Sequence, residues 1–139
     1  MTRWLEPAAY GVAVITVASG GVQLLFTGWE LELLQAESTP AARHFFAIVG
    51  MFMVLFGGLL LHGLQRPAAR RVALTWATLQ KVGASAAVGL GVLTAVFSSL
   101  ALLVAAFDLL SAAVLVAYMW MVENATAKDA AELQTMVDA

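Results

Sequence analysis

Four apolar stretches, at about 8–28, 44–64, 73–96 and 100–121, are each long enough for a helix to cross a hydrocarbon core of about 30 Å, and together they hold two charged side chains, Lys81 and Asp108. Lipid offers the backbone no hydrogen-bond partner, so each such stretch must close its own bonds as a helix. The expected fold is therefore all-α: a polytopic membrane protein with a four-transmembrane-helix up-down bundle over 1–122 and a polar cytoplasmic tail over 123–139. The composition of 62% hydrophobic and 12% charged residues in 139 agrees. Soluble domains run nearer about 45–50% and about 25%, so a soluble globule is excluded. A net charge of −2 without a basic run argues against nucleic acid, since phosphate binding needs clustered Lys or Arg. The absence of cysteine excludes thiol–disulfide exchange and Cys-ligated clusters. The run from Ala8 to Phe26 exceeds a signal h-region and reads as a retained span.

Helix punctuation fits four spans. Pro7 suits a first helical turn, and Ser38-Thr39-Pro40 reads as an N-cap followed by proline at the first helical position. Arg66-Pro67 reads as a tight turn that opens the third helix, and Phe97-Ser98-Ser99 as the second tight turn. Between the first two spans, Trp29–Thr39 mixes Leu31, Leu33 and Leu34 with Glu30 and Glu32, the pattern of a short interfacial segment. Arg3, Arg66, Arg70, Arg71 and Lys128 fall on one side of such a bundle and Arg43 alone on the other, so both termini are expected in the cytoplasm. Trp4, Trp76 and Trp120 then mark the inner interface and Trp29 the outer. A bacterial inner membrane is the expected location.

Small residues supply the packing surfaces. Gly83, Ala87, Gly91 and Ala95 form one stripe on the third helix, and Lys81, Ser85 and Gly89 a second. The fourth helix carries Ala101, Ala105, Asp108 and Ala112 on one face, the second has Ala47, Gly50 and Gly57, and the first Ser19, Gly20 and Gly21. The two charges lie within lysine reach of each other along the membrane normal. They fit either a buried ion pair that sets helix register or polar groups facing a cavity, and the residues leave both open. The candidate site is Lys81, Asp108, His62 and Gln80, with His62 placed beside Lys81 in the inner half and Gln23 as a further hydrogen-bonding residue. Arg43, at the outer mouth, is expected to meet phosphate or Glu37. His44 and His62 share a face but lie about 27 Å apart at about 1.5 Å per residue, too far to share one metal or haem. No metal or cofactor is expected, and no nucleophile set or phosphate loop assigns a catalytic residue.

The order of features resembles small bacterial four-helix proteins of the DoxX-like and related uncharacterised integral-membrane families: a tryptophan-bearing connector, Arg43 opening the second span, the Arg66-Pro67 turn, and Asp108-Leu109-Leu110 in the last span. The resemblance implies the bundle architecture and little beyond it; named members of such families are associated with quinone-linked membrane oxidoreductase complexes. A small multidrug exporter would carry a carboxylate in its first span, where this chain has Gln23. The pattern of membrane glutathione transferases around the second helix is also missing. Two expectations follow. The first is a non-catalytic protein that self-associates or serves as an accessory subunit of a membrane complex, motivated by the small-residue stripes. The second is a membrane-embedded enzyme or binding protein for an apolar small molecule, quinone- or isoprenoid-like, anchored by Lys81, Asp108 and His62.

Overall fold

A computed structural model describes residues 4–137, so Arg3 and the last two residues of the tail lie outside the described residues. The described residues form five α-helices and no strand: α1 (Leu5–Leu25), α2 (Thr27–Leu33), α3 (Pro40–Gln65), α4 (Pro67–Leu93) and α5 (Leu102–Val137), the last preceded by a single 3₁₀ turn at Ser99–Ala101. Pro7 sits in the first turn of α1. At α3, Pro40 follows Thr39, whose hydroxyl accepts from the Ala42 N–H at 3.2 Å and satisfies one of the orphan donors of the first turn. Pro67 opens α4 directly after Arg66, and the Arg70 guanidinium donates to the Leu64 carbonyl, one of those left free at the end of α3.

The second turn lies earlier than its sequence suggests. α4 stops at Leu93, and Ala95 turns into the left-handed region at φ 58°. The Val96 N–H returns to the Gly91 carbonyl and the Ala95 N–H to that of Val92, a Schellman arrangement. α2 ends the same way, with Gln35 at φ 54° and the Ala36 N–H bonded to the Leu31 carbonyl. Both motifs lack the usual glycine, at a cost of roughly 1 kcal/mol each. Without that glycine the stop at 94–95 had no sequence signal, and the polar Ser98-Ser99 pair drew the expected turn a few residues too far.

The four long helices close a ring: α1 packs on α3, α3 on α4, α4 on α5, and α5 returns to α1. Neighbours are antiparallel, since Gln23 meets Phe46 while Gly57 meets Ala13, and Ser85 meets Ala105 on the other side. The diagonal pairs do not touch. At the end that holds Arg66, the ring is filled by a dry cluster of Leu5, Ala9, Val12, Leu60, Leu64, Leu74, Leu115 and Tyr118. At the other end, which α2 crosses, the residues turned inward include polar ones: Gln23, Thr27, Lys81 and Asp108 are buried.

α1 and α3 approach each other backbone to backbone. A Cβ at Gly20 would lie 2.7 Å from the Gly50 carbonyl oxygen, and one at Gly50 would lie 2.8 Å from that of Gly20. Gly57 rests on the Ala13 carbonyl in the same way. Gly63 comes closer still, against the Ala73 side chain across the α3–α4 turn. On α4, Gly91 is covered by its own chain, because the Phe97 ring folds back over it. That stripe is therefore shorter as a free surface than its sequence suggests, while Gly83 meets nothing within 4 Å.

The outside of the ring is apolar, with Phe45, Leu55, Leu90, Leu103 and Leu110 more than half exposed. Soluble proteins rarely expose such continuous apolar surface. Three segments, Leu5–Leu25, Pro40–Gln65 and Ser99–Met136, are long and apolar enough to cross a membrane. α4 has the length but not the apolarity, because Arg70, Arg71, Gln80 and Lys81 interrupt it. The polar tail continues α5 without a break as far as Val137.

Candidate functional site

Lys81 and Asp108 meet. The hairpin of α4 and α5 folds about Ala95, and both residues stand about 13 positions from it, so antiparallel packing brings them level. Lysine Nζ lies 2.6 Å from Asp108 Oδ1, and their side chains are 2% and 4% exposed. Charges taken out of water gain from pairing only when their geometry is close and further contacts hold them. Here the ammonium also lies 5.2 Å from the centre of the Phe107 ring, in cation–π contact. One turn along, the Ser85 hydroxyl donates to the Ala105 carbonyl at 2.9 Å. Ala101, Ala105 and Ala112, all buried, let the two helices come that close.

The pair forms one wall of a cavity of about 500 Å³, within the range of about 300–1,000 Å³ typical of small-molecule sites. α1 contributes Ile15, Ser19 and Gln23, α3 Phe46, Val49 and Met53, α4 Gln80, Ala84 and Val88, and α5 Val104 and Phe107. α2 and the turn before α5 roof it with Glu30, Leu34 and Phe97. The roof is tied down where the Ser98 N–H donates to the Leu34 carbonyl at 3.0 Å. Ile15, Val49, Leu103 and Val104 are exposed at the rim, so the cavity opens to the apolar outside of the ring. A larger hollow of about 840 Å³ near Gln35 and Phe45 lies against the α2–α3 connection and includes neither member of the pair.

Most polar groups in the cavity wall have partners. The Gln23 amide donates to the Phe46 carbonyl at 3.0 Å, binding α1 to α3, and the Ser19 hydroxyl returns to the Ile15 carbonyl. Glu30 differs. Its Oε2 is buried without a hydrogen-bond partner among the described residues, and burial pushes its carboxyl above the ordinary carboxylate range.

Of the expected site residues, the structure brings together Lys81, Asp108 and, half-buried beside them, Gln80. His62 is not with them: it lies exposed in the last turn of α3, off the buried face of Gly57, Leu60 and Leu64, and does not line the cavity. Sharing a level with Lys81 was insufficient, because the helix points His62 elsewhere. Arg43 does not pair with Glu37 among the described residues; its Nε donates to the Ser38 hydroxyl at 2.8 Å. Glu30 and Phe107 were missed. The i, i+4 spacing of Thr27/Leu31 within α2, and of Glu30 with Leu34 at its C-cap, was the available signal for Glu30. No group of three His, Cys, Asp or Glu residues among the described residues could hold a metal. Compared with protein-family models, curated proteins and solved structures, the chain matches none.

Proposed function

We propose that this chain is a four-span integral membrane protein that holds an apolar small molecule in the cavity between its helices, with the Lys81–Asp108 pair as the polar wall of the site. The observation that carries the reading is the cavity itself. Half of the ring is packed dry, whereas the half containing the ion pair is hollow, largely apolar in lining and open toward the apolar outside. Such a mouth suits a ligand already dissolved in lipid.

Reading α4 as the fourth span rests on its length of 27 residues, about 40 Å at about 1.5 Å per residue, and on its place between α3 and α5. Its internal charge is neutralised by Asp108, which lowers the cost of carrying it across lipid. The cytoplasmic assignment of both termini is supported by Arg66, Arg70, Arg71 and Lys128 against Arg43. Exposed Trp4, Trp76 and Trp120 at that end support the limits of the spans.

The test is native mass spectrometry of the protein released from mild detergent, comparing wild type with Ala84→Phe, which fills the hollow from α4. Wild type should retain an apolar species of small-molecule mass that Ala84→Phe lacks, with helicity unchanged. Equal content in the two preparations would overturn the reading.

A second reading, self-association or service as an accessory subunit, is favoured by Gly83. This glycine belongs to a small-residue stripe yet meets nothing in its own chain. Gly83→Leu should then lower the native mass of the particle while leaving the monomer's thermal stability unchanged. An unchanged mass counts against it.

A further inference from the structure

The cavity carries one charge that the ion pair does not cancel. Lys81 and Asp108 neutralise each other at 2.6 Å, and the remaining charged residue in the wall is Glu30. α2 sets it there. Thr27 and Leu31 are buried on one side of this helix, Trp29, Glu32 and Leu33 are exposed on the other, and Glu30 with Leu34 turns toward the cavity. The anchor is local: the Thr27 hydroxyl donates to the Gln23 carbonyl at 2.8 Å, and the Leu34 carbonyl accepts from Ser98.

The basic side chain that lines the cavity, Lys81, is already held by Asp108. Arg43, the basic residue at this end of the ring, is held by Ser38, with its guanidinium over Gly28. Glu30 is thus a half-buried carboxylate in the cavity wall, and its Oε2 is buried without a donor among the described residues. A group so placed is costly unless a proton or a cation satisfies it. A proton satisfies it equally well whatever the ligand; a cationic head group satisfies it only when the ligand is bound.

Building on the cavity reading above, we propose that the cavity takes an amphiphile with an apolar body and a protonated amine head, and that Glu30 is the residue that recognises the head. The apolar body occupies the space between Phe46, Val88 and Val104. The amine donates to the Glu30 carboxylate beneath the α2 roof. A charge-assisted bond of this kind is roughly twice as strong as a neutral one, and the low-dielectric chamber strengthens it further. An alcohol with the same tail can donate to Glu30 but brings no charge, and a carboxylate is repelled.

The experiment uses the full chain in phosphatidylcholine nanodiscs at neutral pH, with decylamine and decanol as probes. Binding is read from tryptophan fluorescence, to which Trp29 beside Glu30 contributes, and empty nanodiscs correct for partitioning. The expected preference of wild type is about ten-fold for the amine over the alcohol. Glu30→Gln should reduce that preference to about two-fold or less. Glu32→Gln, which removes an exposed charge from the same helix, should leave it as in wild type. A ratio near one in wild type, or a preference that survives Glu30→Gln, would overturn the proposal and leave Glu30 satisfied by a proton alone. Ala84→Phe separates the two readings. If it abolishes binding of both probes while Glu30→Gln leaves their ratio intact, the head-group assignment fails and the cavity stands; if both probes still bind Ala84→Phe, the cavity reading itself fails.

Discussion

Lys81→Met should lose about 3–5 kcal/mol of stability in detergent, as should Asp108→Leu, while the double change recovers most of the loss. A single substitution leaves a buried charge without its partner, which the lining cannot replace. Ser85 is already bonded to Ala105, and Gln23 to Phe46. Loss of an ordinary polar contact between membrane helices would cost far less, about 0.6 kcal/mol on average and about 1.7 at most. The size of the effect therefore discriminates. Unfolding titrations of the four proteins, read as a double-mutant cycle, give the coupling directly. A coupling below about 1 kcal/mol would mean that each charge finds water in the cavity when its partner is removed. The pair would then be a hydrated part of the ligand site and would contribute little to holding α4 on α5.

Two alanine substitutions eight residues apart on α3 should move stability in opposite directions. Gly58→Ala meets nothing within 4 Å, so the helix gains the advantage of alanine over glycine, up to about 1 kcal/mol. Gly50→Ala places its methyl group 2.8 Å from the Gly20 carbonyl oxygen and from the Leu24 nitrogen. These are backbone atoms and cannot swing aside, so α1 must back away along its length. The retreat loosens the Gly20 and Gly57 contacts and stretches the bond from Gln23 to the Phe46 carbonyl. Overpacking of this kind costs typically about 1–3 kcal/mol, which exceeds the gain in propensity. Gly50→Leu should cost more and lower the thermal midpoint by on the order of 10 °C. Equal midpoints for Gly50→Ala and Gly58→Ala would mean that α1 and α3 do not pack backbone to backbone.

Much of this arrangement was legible in the sequence because lipid leaves a helix few choices. The cap at Thr39-Pro40 and the break at Arg66-Pro67 follow from proline chemistry and recur in the structure. The residues left open whether Lys81 and Asp108 pair or face a cavity, and in the structure they meet in the wall of one. What was hidden depended on relations between helices. Nothing in the residue order says that the helices leave a cavity between them beyond the cluster of Val12 and Leu115. His62 was misplaced because its level along the helix was read without its direction around it. The covering of Gly91 by Phe97 was invisible because it depends on a left-handed residue at Ala95, where glycine would have announced the bend.

The division of the ring into a packed half and a hollow half works like a clothes-peg, with the cluster around Tyr118 as the spring and the helix ends beneath α2 as the jaws. Substitutions at the jaws and at the spring lie far enough apart for their effects to add. The lining could therefore drift toward molecules of other shapes without loosening the grip that holds the helices together.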